Sequence, residues 1–286
     1  MLADAPSPTF LESLFAQALL NNKDNCVCKI CGHSTALYDV VDLGKECGLS
    51  PYPVGLCGVP VYYRRCMQCQ FVFTSFFDEF STEDWATYIY NKEYERIDPD
   101  YGLARPAGNA QLLRAFLLGR KRQTCGFDFG GGNGMTAKLM RAIGFQFDSY
   151  DPFGDNLMQP ELAGTYNFVS AFEVFEHLVN PAEALNQILS KASKNQLIIL
   201  IGTGTTDDVL QDRNRLAWDY AAPRNGHVSL FSKAALRILA QSHQLRFLSL
   251  SKGTHFMFRG HSPFAILLRA YIAKALTKLV FPFFRR

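Results

Sequence analysis

Apolar positions recur along this chain at two periods. Four short segments, at 124–129, 145–150, 166–174 and 196–201, have the length and apolar, β-branched or aromatic content of strands, the last nearly continuous. Between them the period lengthens. Leu112, Leu113, Phe116 and Leu117 share one face of a helix over 109–120. A second helix runs over 135–143 and stops at Gly144. Asn180-Pro181-Ala182-Glu183 opens a third, with an Asn cap, Pro in the first turn and Glu three residues on. Residues 232–243 read as one more helix, followed by strands at 245–250 and 255–259. Strands alternating with helices predict a mostly parallel sheet covered on both faces, closed by an antiparallel addition.

The region before this alternation reads differently. Thr9-x-x-Glu12 is a capping box for a short helix within 1–25. Six of the eight cysteines precede Met67, and a seventh is Cys69. Cys28-x-x-Cys31 and Cys66-x-x-Cys69 each form a turn able to aim two thiolates at one tetrahedral Zn²⁺. The expected ligands are Cys28, Cys31, Cys66 and Cys69, with Cys26 a poorer substitute for Cys28 and ordinary thiols the alternative. Four thiolates leave no open position, so such a zinc holds the fold and does not catalyse. Residues 32–65 are rich in Gly and Pro, as a surface excursion would be. The expected domains are a helix at 1–25, a zinc ribbon at 26–75, an aromatic-rich linker at 76–108, the α/β domain at 109–261 and a basic amphipathic helix at 262–286. The linker rings, Tyr88 and Tyr94 among them, suit either packing or covering a ligand.

Candidate chemistry lies where the first strand ends. Asp128-x-Gly130-x-Gly132-x-Gly134 is a glycine turn between strand and helix, and Asp151 ends the next strand. Strand, glycine turn, helix, strand, acid is the order that lets backbone N–H groups approach a ligand and a carboxylate meet a ribose. Met135 stands where the dinucleotide G-x-G-x-x-G pattern has its third glycine. This speaks against a pyrophosphate on the helix N-terminus and for an adenosine carried without phosphate. Asp151 can alternatively serve as a turn residue before Pro152.

These residues, with Phe172-Glu173-Val174-Phe175-Glu176-His177, resemble class I S-adenosylmethionine-dependent methyltransferases of the E-V-x-E-H type. The paired C-x-x-C turns are similar to the front domain of sugar C-methyltransferases. The resemblance covers roughly residues 26–260. It implies an α/β Rossmann-like sheet, mostly parallel with one antiparallel strand at the end, preceded by a small zinc ribbon. It also implies a cofactor, S-adenosylmethionine, held by Asp128, Gly130, Gly132, Gly134, Asp151, Phe172 and Glu173. A small-molecule or glycan acceptor follows by the same resemblance, with O- or C-methylation. The stretch Asn225-Gly226-His227-Val228-Ser229 keeps the His of the sugar enzymes' Tyr-x-Glu-His cluster without the Tyr and Glu before it. His227 and His177 are the candidate bases, each alternatively a turn or packing His. A nicotinamide oxidoreductase and a non-catalytic zinc-ribbon interaction protein are the competing classes.

Composition narrows the partners. The 286 residues are 48% hydrophobic and 19% charged, enough for a sizeable core. Net charge is +3, but Arg269, Lys274, Lys278, Arg285 and Arg286 fall after Ser262 with no acid among them. The remainder carries 24 basic against 26 acidic residues. A body so close to neutral does not predict a nucleic-acid partner. The basic, apolar tail suits peripheral contact with an anionic membrane surface, or docking on the body or a second subunit. The N-terminal segment lacks the form of a signal peptide, so a cytoplasmic setting is expected.

Overall fold

The computed structural model describes residues 26–48, 55–91, 94–154, 165–207, 209–210 and 215–280. The expected helix within 1–25, the end of the tail and most of 152–165 lie outside the described residues. The chain forms two compact units, each drawn from separated segments.

The first unit combines Met1–Pro99, Glu176–Pro181 and Gly204–Ile238. Its sheet has the order β1-β2-β3-β8, all neighbours antiparallel, from β1 (Thr35–Asp42), β2 (Pro60–Cys66), β3 (Val72–Thr74) and β8 (Ser229–Leu230). The Gly- and Pro-rich stretch 32–65 is therefore not a simple excursion. Most of β1 and β2 lies within it, pairing from Thr35↔Cys66 to Asp42↔Pro60. Only Val41 of β1 is fully buried, so that strand lacks the in–out alternation by which a half-buried strand announces itself. The aromatic residues of 71–94 pack on one another as a chain of rings. Phe77 stacks on Trp85 at 5.2 Å, Trp85 on Tyr90 at 6.0 Å, and Tyr90 meets Tyr94 edge-on at 5.0 Å. Helices α1 (Thr82–Tyr88) and α2 (Tyr94–Ile97) carry several of them. Ser81 caps α1 through a reciprocal capping box with Asp84.

The second unit combines Asp100–Phe175, Ala182–Thr203 and Leu239–Arg286. Its six-stranded sheet has the order β5-β4-β6-β7-β10-β9. Strands β4 (Cys125–Phe129), β5 (Gln146–Tyr150), β6 (Phe168–Phe172) and β7 (Leu197–Gly202) pair parallel; β10 (Thr254–Arg259) lies antiparallel between β7 and β9 (Arg246–Ser251). This is the Rossmann-like arrangement expected, with β10 its one reversed strand. The helices are α3 (Ala104–Phe116), α4 (Met135–Ala142), α5 (Pro181–Lys191), α6 (Lys233–Ser242) and α7 (Pro263–Val280); α5 and α6 straddle the boundaries of the two units. Helix α3 begins five residues before the apolar spacing announces it, because Pro106 falls in the first turn, where its missing N–H is not needed. One face of the sheet buries Phe147, Phe168, Leu200, Phe256 and Phe258 against Leu113 and Phe116 of α3 and Ile266 and Ala270 of α7.

Candidate active site

In the second unit the chain runs from β4 outward to β5, then returns to β6 on the other side of β4. The carboxyl ends of β4 and β6 are thus a topological switch point, where such sheets open a crevice for ligands. The glycine turn leaves β4 there. Gly130, Gly132 and Gly134 all have positive φ, at 70°, 57° and 70°, a conformation that L side chains resist. Space is denied as well: a Cβ on Gly131 would lie 2.1 Å from Ser149 Oγ and 2.9 Å from Asp128 Oδ2. Asn133 takes part in the turn, its Oδ1 accepting from Met135 N (3.1 Å) at the start of α4 and its Nδ2 donating to Gly102 O (2.8 Å).

Asp151 follows β5 and reaches back to this turn. Its Oδ2 accepts from Gly132 N and its Oδ1 from Phe153 N, both at 2.8 Å. Each carboxylate oxygen has a second lone pair, so the group can still accept from vicinal hydroxyls. Burial pushes its carboxyl above the usual range, against these amide hydrogen bonds. Asp128 lies beneath the turn, accepting from Ser170 Oγ at 2.6 Å. Burial, with Asp151 nearby as a lesser cause, pushes its carboxyl up to about 7 while the Ser170 hydrogen bond holds it down. The turn thus rests on a buried acid, and its outer amide is held by a second acid. Glu173, just past β6, has φ 52°, a left-handed conformation costing a non-glycine residue about 1–2 kcal/mol. Its N–H donates to Gly202 O at 2.8 Å. Phe172 contributes to the hydrophobic core as well as standing at the strand end.

The remaining candidates assemble in the first unit. His227 is buried, with its Nδ1 2.7 Å from Tyr220 O; a carbonyl can only accept, so Nδ1 carries the proton. His177 Nδ1 makes the same kind of bond to Gly226 O at 3.1 Å. In the neutral form of each ring the basic nitrogen is then Nε2. The two rings meet edge-on at 4.8 Å, and Tyr220 lies 4.3 Å from His227. Glu176, wholly buried, accepts a hydrogen bond from Tyr220 Oη. Ligand-capable atoms of Glu176, His177 and His227 lie within 4.8 Å of one another. The His227 stretch has no Tyr or Glu just before it in sequence, yet folding supplies both beside it, from Tyr220 and Glu176.

Also in the first unit, the four expected thiols converge. Cys28 Sγ lies 3.6 Å from Cys69 Sγ, and Cys31 Sγ 3.4 Å from Cys66 Sγ, with all four within 4.8 Å. A tetrahedron of Zn–S bonds near 2.3 Å sets its sulfurs about 3.8 Å apart, so the cluster is zinc-sized. Backbone N–H groups of Ile30, Gln68 and Cys69 each approach a cluster sulfur at 3.4 Å, as donors to thiolates do. The hydrogen bond with Cys69 lowers the Cys28 thiol, against the burial that raises it.

A methyltransferase domain model matches residues 101–250, more than half of the chain. The chain belongs to the methyltransferase domain family. No curated protein matches it at a significant level. Solved structures similar to this methyltransferase include the plantazolicin methyltransferase BpumL in complex with SAH, at 14% identity over 70% of this chain and 88% of that one, TM-score 0.44. The mitomycin 7-O-methyltransferase MmcR is similar at 11% identity over 64% and 62%, TM-score 0.42. Magnesium protoporphyrin IX methyltransferase (ChlM) from Synechocystis PCC 6803 with bound SAH is similar at 13% identity over 62% and 98%, TM-score 0.40. The expected S-adenosylmethionine-dependent methyltransferase is borne out over a nicotinamide oxidoreductase.

Sequence reasoning passed over two side chains at these sites. Tyr101 Oη lies 2.9 Å from where a Gly132 Cβ would be, so its ring closes on the glycine turn from the segment read as linker. Tyr220 sits in the irregular stretch after β7, where no periodicity singles out a residue. Among the described residues no helix is long and apolar enough to cross a membrane.

Proposed function

We propose that this methyltransferase binds S-adenosylmethionine at the carboxyl ends of β4 and β5 and transfers its methyl group to a small-molecule or glycan acceptor. The observation that carries this reading is the glycine turn with three positive-φ glycines, its Gly132 amide held by the carboxylate of Asp151. Asp151 accepts hydrogen bonds from the ribose hydroxyls. Gly130, Gly132 and Gly134 bring backbone close to the ligand, Asp128 supports the turn from below, and Glu173 and Phe172 shape the far wall. The bound cofactor supplies an already activated methyl group, so the protein's task is alignment and, for a hydroxyl or acidic carbon, removal of one proton. His227 is the proposed base, acting through Nε2 with its tautomer fixed by the Tyr220 carbonyl; His177 is its neighbour in that role. Cys28, Cys31, Cys66 and Cys69 hold a structural zinc. The preference for a sugar or nucleotide-sugar acceptor rests on the paired C-x-x-C turns before the methyltransferase domain.

Calorimetric titration of S-adenosylhomocysteine into the zinc-loaded protein tests the cofactor site. Asp151→Ala should weaken binding by roughly a hundredfold, as expected when charge-assisted hydrogen bonds to two hydroxyls are lost. Wild-type protein that is folded but binds no S-adenosylhomocysteine would overturn the assignment. His227→Ala should keep that affinity and lose turnover once an acceptor is in hand; turnover near wild type would remove His227 as base.

A further inference from the structure

The second unit carries a cleft at the other end of its sheet. The cleft has a volume of about 240 Å³ and lies by the amino ends of β4, β6 and β7, where Thr124, Phe168 and Ile198 line it. The glycine turn and Asp151 are at the carboxyl ends, so this is not the cofactor crevice. Arg120, His261 and Arg269 all line it, and none of its lining residues is acidic. Among the described residues no carboxylate pairs with either guanidinium. The three groups sense one another: burial first, then Arg120 and Arg269, hold His261 below its ordinary 6.5, and burial first, then Arg120, lowers Arg269. The carboxyl end of α3 offers at most about half an elementary negative charge there. Two permanent cations therefore remain largely uncompensated in a concave, half-buried place. Gln123 and Gln196 add amide donors to the same walls.

We propose that Arg120, His261 and Arg269 form a binding site for a phosphoryl group, distinct from the methyl-transfer site. Mutual repulsion among these groups excludes a metal cation. A planar guanidinium presents paired donors that match two oxygens of a tetrahedral oxyanion, and two such forks offset the charge of about −1.5 to −2 on a phosphate monoester near pH 7. The phosphoryl group can come from a soluble phosphate ester or from a lipid headgroup. The second source has a structural basis: α7, which carries Arg269, exposes Phe264, Leu268, Tyr271 and Ile272, apolar residues that acyl chains could cover.

The test is calorimetric titration of inorganic phosphate and of pyrophosphate into the zinc-loaded protein, alongside Arg120→Gln, Arg269→Gln and the double variant. Thermal unfolding establishes that each variant is folded. Each single change should weaken binding roughly ten- to a hundredfold, as expected for losing a charge-assisted contact, and the double variant should abolish it. Sedimentation with phosphatidylcholine vesicles, with or without phosphatidic acid, separates the sources. Arginine-dependent binding only to vesicles containing phosphatidic acid, together with phosphate binding in solution, identifies a lipid phosphate. Phosphate binding without vesicle binding identifies a soluble ester. Folded wild-type protein that binds neither phosphate nor pyrophosphate, or binding unchanged in the double variant, overturns the site.

Discussion

Asp128 makes the electrostatics of the glycine turn measurable. Its carboxyl stands at about 7 in the folded chain against an ordinary 3.8, chiefly through burial. The folded state therefore holds this proton more tightly than the unfolded state does. The stabilisation is fully present below pH 3.8 and is lost as pH rises to about 7, beyond which it changes no further. At about 1.4 kcal/mol per decade, the group costs roughly 4 kcal/mol once ionised, and roughly 3 kcal/mol of that falls between pH 5 and pH 8. Asp128→Asn removes the titration. Its amide oxygen can still accept the Ser170 hydroxyl, and the volume is nearly unchanged. Urea unfolding of wild type and variant, followed by circular dichroism without cofactor from pH 5 to pH 8, reports the difference between them. Other groups, Asp151 included, titrate in both proteins and largely cancel. The variant should gain on wild type by about 3 kcal/mol across this range, the gain levelling off above pH 7. A difference that stays constant within about 0.5 kcal/mol would show that Asp128 is solvated or otherwise compensated, and the account of the turn would fail.

Two further predictions address the turn and the metal. Gly131→Ala forces a Cβ to within 2.1 Å of Ser149 Oγ, so it should cost about 1–3 kcal/mol of stability and displace the turn enough to lose S-adenosylhomocysteine binding. Adding Ser149→Ala should restore part of both, and a double variant no better than the single would show that the clash is not the cause. Cys66→Ser should reduce zinc measured by atomic emission from one per chain to none, with Cys125→Ser as a control that retains it. Because structural zinc contributes on the order of 10 kcal/mol in small domains, the same variant should lose cooperative unfolding of the first unit; full zinc content in Cys66→Ser would refute the ligand set.

The parts legible in the sequence share a physical origin: each is a constraint met within a few neighbouring residues. The buried run 196–201 gave β7 almost to the residue because a strand covered on both faces must be apolar throughout. The glycine turn was legible because positive φ and close packing leave glycine little competition. The C-x-x-C turns were legible because tetrahedral coordination dictates their spacing. What sequence could not supply was set by distant partners. Strand β1 is half exposed and shows no clean alternation, and β6 stops at Phe172 rather than Val174 because Glu173 turns left-handed there. Tyr220 and Glu176 are separated by 44 residues, and nothing local to either one reveals that folding joins them beside His227.

That long-range assembly changes the meaning of the proposed zinc site. Read along the chain, the ribbon precedes the methyltransferase domain and could be an appendage. In the first unit, however, β3 starts three residues after Cys69 and pairs with β8, Val72 with Leu230 and Phe73 with Ser229. Thr74 N donates to Val228 O, next to His227, and Tyr63 Oη donates to the His227 carbonyl at 2.6 Å. Ser232 Oγ spans 2.5 Å to the Cys69 carbonyl while accepting from Ala235 N at the start of α6. The backbone that carries the proposed base is therefore tied, by hydrogen bonds within a few residues of Cys69, to a knuckle of the proposed zinc site. If the proposed base and zinc are right, a zinc with no open coordination position would still govern turnover, by fixing where His227 stands.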